Sequence, residues 1–228
     1  MNPVTEAYPA PLDDTALRAT WNWAWASLGR PAPAALQAEL LSAWSEPHRY
    51  YHDQRHLREC LALWTGWRGH SSQAGEVAIA LWFQDAIYDP QAAAGANELG
   101  SAAWAARSLV RARAGSEAAQ RVHDLVMATA HATPHDAPAV ADPNPDTRLL
   151  LDIDLSILGS PAERFERYDQ DVRREYAWMP RARYQESRAR VLQGFLNRPR
   201  LYYGGHAVAL LERQARINLT AALSRLAQ

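Results

Sequence analysis

The run Val77-Ala78-Ile79-Ala80-Leu81-Trp82-Phe83 is followed at once by Gln84-Asp85. An acid beside a long polar side chain, in the most hydrophobic stretch of the chain, needs a partner. A carboxylate buried without one costs several kcal/mol or is forced to neutralise. Two other places could supply that partnership: His52-x-x-x-His56, and a second acid in apolar surroundings at Asp154. Convergence of the three on a metal ion organises the reading of the whole chain.

Outward from this stretch the pattern is helical. Ala, Leu, Arg, Glu and Gln are abundant and alternating β-branched runs are absent. Segments are predicted to begin near Asp14, after Pro9 and Pro11, and near Pro33, a residue favoured in a first turn. Further helices are predicted over 53–67, from after Ser72 to a stop at Asp89-Pro90, over 97–114 and over 116–131. The stretch 132–145, rich in Pro, Asp and Ala, reads as a surface loop. Helices then follow over 146–158, up to Gly159, and from a capping-box pattern at Ser160-Pro161-Ala162-Glu163 to about 178. The last two span about 181–197 and 207–222. No repeat or long linker divides the chain, so the expectation is one all-α domain over 1–228, packed around a buried polar centre, with 1–12 as a flexible lead-in. The nine tryptophans include Trp21 with Trp25 and Trp64 with Trp67 at helical spacing, which reads as packing.

Composition excludes several classes. The 228 residues are 48% hydrophobic and 21% charged, with a formal net charge of -1. That balance describes a globular protein with no basic surplus for general nucleic-acid binding and no polybasic run for a membrane surface. No apolar stretch approaches the roughly 20 residues that span a bilayer. The single Cys60 cannot form an internal disulfide, and the N-terminal residues lack the pattern of a signal peptide. The expected location is the cytoplasm, and self-association is left open.

The polar positions can be ranked by phase. His52 and His56 are one helical turn apart and can face one point if the helix has begun by His52. Asp53, not Glu, follows His52, which removes the general base of a zincin helix. Asp154 has Leu150, Leu151, Ile157 and Leu158 at helical neighbour positions. Asp152, about 200° away around the helix, is expected nearer the rim.

The order His56, Asp85, Asp154 resembles the H…HD…D signature of the HD superfamily of metal-dependent phosphohydrolases. Closer still is a group described as predicted HD-superfamily metal-dependent phosphohydrolases. The resemblance is carried by Arg49-Tyr50-Tyr51-His52-x-x-x-His56-Leu57, Trp82-Phe83-Gln84-Asp85-Ala86-Ile87-Tyr88-Asp89, Asn97-Glu98-x-x-Ser101-Ala102, Thr129-Ala130-His131 and Leu151-Asp152-Ile153-Asp154. It continues through Arg174-Glu175-Tyr176, Arg188-x-x-x-Leu192 and Ala215-x-x-Asn218-Leu219, covering about residues 40–222. It implies an HD-type helical bundle with a central metal site, and hydrolysis of a small phosphorylated compound, nucleotides among the candidates. It implies His56, Asp85 and Asp154 as metal ligands, with Gln84 as a weak or outer member and His131 in the pocket lining. His52 is then the candidate acid or phosphate-binding group, Glu98 a water-orienting or proton-shuttling group, and Arg49 a phosphate clamp. The chain departs from the family at Gln84, where members carry His. An amide oxygen suits hard divalent cations such as Mg²⁺ or Mn²⁺ better than Zn²⁺. The alternative expectation is a catalytically degenerate relative that binds a phosphorylated ligand or a partner without turnover.

Overall fold

The apolar run forms helix α4 (Ala74–Phe83), and every residue from Gly75 to Phe83 on it is buried. A helix apolar all round must be enclosed by other helices. The computed structural model, which describes residues 8–130 and 143–227, shows that enclosure. Helices α1 (Asp14–Ser27), α3 (Gln54–Trp67), α5 (Ala96–Arg111), α6 (Ser116–Ala128) and α7 (Pro145–Asp154) all pack on α4. Helix α2 (Ala34–Ala43) completes this half, and the indole Nε1 of Trp44 just beyond it donates to the Trp82 carbonyl at 3.0 Å. Trp21 meets Trp25 and Trp82 edge-to-face with centroids 5.5 and 5.0 Å apart, so Trp21 and Trp25 are core, as is Trp64, while Trp67 packs partly buried against it.

The second half is built on a 3-10 turn, Leu155–Gly159, which continues directly from α7. Helices α8 (Ala162–Glu175), α9 (Arg181–Leu196) and α10 (Gly205–Leu226) surround a second apolar cluster that includes Ile157, Phe165, Leu192 and Leu211. Asn218 holds the turn, its amide donating to the carbonyls of Leu158 and Ser160 at 2.8 and 2.9 Å. The described residues are therefore all helix, turns and loops, as expected for an all-α bundle. None of their helices is long and apolar enough to cross a membrane.

Several boundaries differ from expectation for reasons that lie in tertiary contacts. Helix α4 stops at Phe83 rather than running to Asp89, because the carbonyls of Asp85 and Ala86 are taken by Arg49 and the Ile87 amide donates to Ser101. Helix α3 starts at Gln54, since Asp53 Oδ1 accepts from the amides of Arg55 and His56 and caps it there. The capping box at Ser160 does not form: Pro161 is the N-cap and the Ser160 hydroxyl is buried without a partner. Asp152 is not at the rim. It is buried and accepts from the amides of Tyr203 and Gly204 at 2.7 Å each, fixing the entry to α10. In the lead-in, Tyr8 and Leu12 pack on the core, and Arg58 donates to the Leu12 carbonyl at 2.9 Å. The loop read over 132–145 lies outside the described residues as far as residue 142.

Gly159 tests the joint between the two halves. A Cβ there would come within 2.6 Å of Leu211 Cβ and 2.8 Å of the Leu211 carbonyl oxygen. Backbone atoms of α10 cannot yield cheaply, so Gly159→Ala is expected to destabilise the fold by about 1–3 kcal/mol. Urea unfolding should show a lower midpoint with an unchanged slope. An unchanged midpoint would mean that α10 is not seated on this turn.

Candidate metal centre

Three elements end on one point. His56 comes from the first turn of α3, Asp85 from the turn after α4, and Asp154 is the last residue of α7. Each offers one ligand atom, and these atoms all lie within 4.8 Å of one another. His56 Nε2 is 3.7 Å from Asp85 Oδ2 and 3.5 Å from Asp154 Oδ1. Ligands at about 2.1 Å from a small divalent ion are separated by roughly 3–4 Å, so a cation fits among these atoms. His56 is buried and the two acids are half-buried, which leaves the centre open on one side. This group could hold a metal ion.

Gln84 belongs to the same centre. Its Nε2 lies 3.3 Å from His56 Nε2 and 3.2 Å from Asp154 Oδ1, while its Oε1 is buried without a hydrogen-bond partner. Half a turn of the amide exchanges the two atoms and presents the oxygen to the centre. The donor set is then one imidazole, two carboxylates and one amide oxygen, rich in hard oxygens and doubly negative, which fits a divalent cation. Burial disfavours the imidazolium of His56, but Cys60 and Asp154 outweigh it and hold the pKa well above its ordinary value. The ring must shed that proton to ligate a cation.

His52 precedes the helix and does not share a ligand position with His56. Its Nδ1 is 2.8 Å from Glu175 Oε2. Glu175 Oε1 accepts from three successive amides, those of Tyr50, Tyr51 and His52, at 2.8, 2.8 and 2.9 Å. The Tyr88 hydroxyl donates to the other oxygen at 2.9 Å, and its ring stacks on His52 with centroids 4.3 Å apart. Burial works against the Glu175 anion, but His52 and the amides outweigh it and lower the carboxyl pKa to about 2. An ionised carboxylate only accepts, so Nδ1 of His52 carries hydrogen and Nε2 is the nitrogen left for other partners. Glu175 carried no role in the sequence reading. One signal was available: it ends a helix, where the dipole disfavours an acid.

The centre opens into a cavity of about 410 Å³. His52, Asp85, Glu98 and Asp154 all line it, Glu98 from the first turn of α5. Arg49 does not. Its buried guanidinium donates to Glu46 at 2.9 Å and to the carbonyls of His52, Asp85 and Ala86 at 3.0, 2.7 and 3.1 Å. The expected phosphate clamp is thus corrected to a brace between the two turns that carry His52 and Asp85. The arginine that does line the cavity is Arg188. His131 lies outside the described residues.

No family model, curated protein or solved structure matches this chain.

The Glu175 shift sets a pH dependence. A carboxyl whose pKa falls from 4.5 to about 2 on folding stabilises the fold above the higher value, and the contribution is lost as pH falls toward the lower. Glu175→Gln should therefore cost on the order of 3 kcal/mol at pH 7 and less than half of that at pH 3. Urea midpoints of both forms at the two pH values measure this. A gap that does not shrink at pH 3 would show that Glu175 is not held as an anion.

Proposed function

We propose that this protein is a metal-dependent phosphohydrolase of the HD type, acting on a small phosphorylated compound. One observation carries the reading: an imidazole and two carboxylates converge at the floor of a cavity whose wall holds a histidine with a fixed tautomer. The order of these residues along the chain, which resembles the HD signature, adds independent support.

A divalent cation held by His56, Asp85 and Asp154 supplies charge neutralisation for phosphoryl oxygens and acidifies water. The remaining work falls to the chain's own side chains. Hydrolysis forms a bond from a water oxygen to phosphorus and breaks the ester P–O bond, so the leaving oxygen needs a proton. In this reading His52 delivers it from Nε2, with Glu175 holding Nδ1 and stabilising the charged ring. Burial lowers the His52 pKa, but Glu175 outweighs this and the net shift is upward, which keeps a proton available. Glu98, half-buried in the cavity wall, orients the attacking water or accepts its proton. Arg49 acts through the backbone by keeping the two turns in register.

A second reading is a binding protein without turnover, and the Gln84 amide favours it. By bridging His56 and Asp154 it meets part of the polar demand of the centre without a cation.

Hydrolysis of a panel of phosphomonoesters, read as phosphate release, and of phosphodiesters, read as release of the alcohol, with Mn²⁺ or Mg²⁺ added, decides between them. On any ester that is turned over, Asp85→Ala should lower the rate by about 10³-fold or more, since several kcal/mol of charge stabilisation are removed. Unchanged turnover would exclude the mechanism. Gln84→His restores an imidazole and should tighten Mn²⁺ or Zn²⁺ binding on the order of tenfold in calorimetry. Equal affinities would place residue 84 outside the coordination shell.

A further inference from the structure

The walls of the cavity say what kind of ester it takes, an inference that rests on the hydrolase reading for its chemistry but not for its recognition. Away from the metal centre one part of the lining is apolar, with Ile157, Leu158, Val172, Val191 and Phe195 among its members, and Tyr184, Ser187 and Arg188 add polar groups. One side is a rank of rings. Tyr51 lies against His56 with centroids 4.7 Å apart and meets Tyr168 edge-to-face at 4.5 Å. The guanidinium of Arg188 follows, 5.0 Å from the Tyr168 ring centroid. Two aromatic rings therefore separate the metal centre from a buried cation within one cavity.

Arg188 is only partly engaged. Its Nε and Nη2 both donate to a single oxygen, Asp169 Oδ1, at 3.1 and 3.0 Å. Tyr168 is a further polar neighbour of the guanidinium. The pair leaves part of the five-donor fork for a further acceptor at the cavity wall. Planar guanidinium donors match a carboxylate. The volume of about 410 Å³ lies in the range of small-molecule sites, roughly 300–1,000 Å³.

We infer that the substrate is an aromatic phosphate monoester bearing a carboxylate at the end remote from the phosphate. The phosphate meets the metal centre and His52, the ring lies along Tyr51 and Tyr168, and the carboxylate meets Arg188.

The test uses the full chain with Mn²⁺ and three probes: phenyl phosphate, 4-carboxyphenyl phosphate and 4-(aminomethyl)phenyl phosphate. The carboxylated ester should have a kcat/KM at least about tenfold above phenyl phosphate, and the cationic ester should fall below it. Equal constants on esters that are hydrolysed overturn the inference and leave the hydrolase reading standing. In parallel, calorimetry compares benzylphosphonate with 4-carboxybenzylphosphonate, neither of which can be turned over by P–O cleavage. A preference of about tenfold for the carboxylated phosphonate, with no ester hydrolysed, supports the pocket assignment and removes the hydrolase. Equal binding of the two phosphonates overturns the assignment. In Arg188→Met the preference should collapse to within about twofold, and its full retention in a folded variant overturns the role of Arg188. The comparison on the unmodified chain stands even where that variant does not fold.

Discussion

Two carboxylates and an imidazole cannot be gathered within a few ångströms in a protein interior without something positive between them. Asp85 and Asp154 both face His56 in the present structure, and Gln84 adds a neutral amide to the same point. A proton on His56 offsets one negative charge and leaves the other. A divalent cation offsets both, which is why ligand chemistry, more than the fold, directs the functional reading. The surrounding helices are arranged so that this convergence is stable: α4 is buried along its length and delivers Asp85 at its end, while α7 delivers Asp154 just where it tightens into a 3-10 turn.

Two buried side chains keep the mouth of the centre in place. Arg49 draws the carbonyls of His52, Asp85 and Ala86 toward one guanidinium, with the rings of Trp44 and Tyr88 within 5.6 and 5.4 Å of it. Glu175 gathers three amides and the His52 ring from the opposite side. The turn before α3 is thus clamped between a cation that binds its carbonyl and an anion that binds its amides. The backbone and the ring of His52 are held by the same carboxylate, the preorganisation that the proposed proton transfer would need.

The helical architecture was legible because it rests on local signals: the apolar run at 77–83, the tryptophans one turn apart, and the prolines and glycines that end segments. The central triad was legible too. Phase around the helix selects Asp154, and a carboxylate after seven apolar residues demands a partner. What could not be read depends on residues far apart in the chain. Asp152 looked peripheral because its partners, the Tyr203 and Gly204 amides, lie about fifty positions later. His52 and His56 could face one point only if the helix had begun by His52, yet Asp53 caps it and Glu175, from α8, claims the ring. Arg49 was assigned to phosphate because its chemistry allows that. Only the tertiary structure shows its donors spent on backbone carbonyls.

The central claim is that the His56, Asp85 and Asp154 cluster binds a divalent cation. Anomalous diffraction at the manganese edge, from crystals grown with Mn²⁺, addresses it most directly. One strong peak is expected within about 2.4 Å of His56 Nε2, an Asp85 oxygen and an Asp154 oxygen, with the Gln84 amide turned oxygen-first toward it. A map with no peak there, and the Gln84 nitrogen still bridging His56 and Asp154 at saturating Mn²⁺, would contradict it.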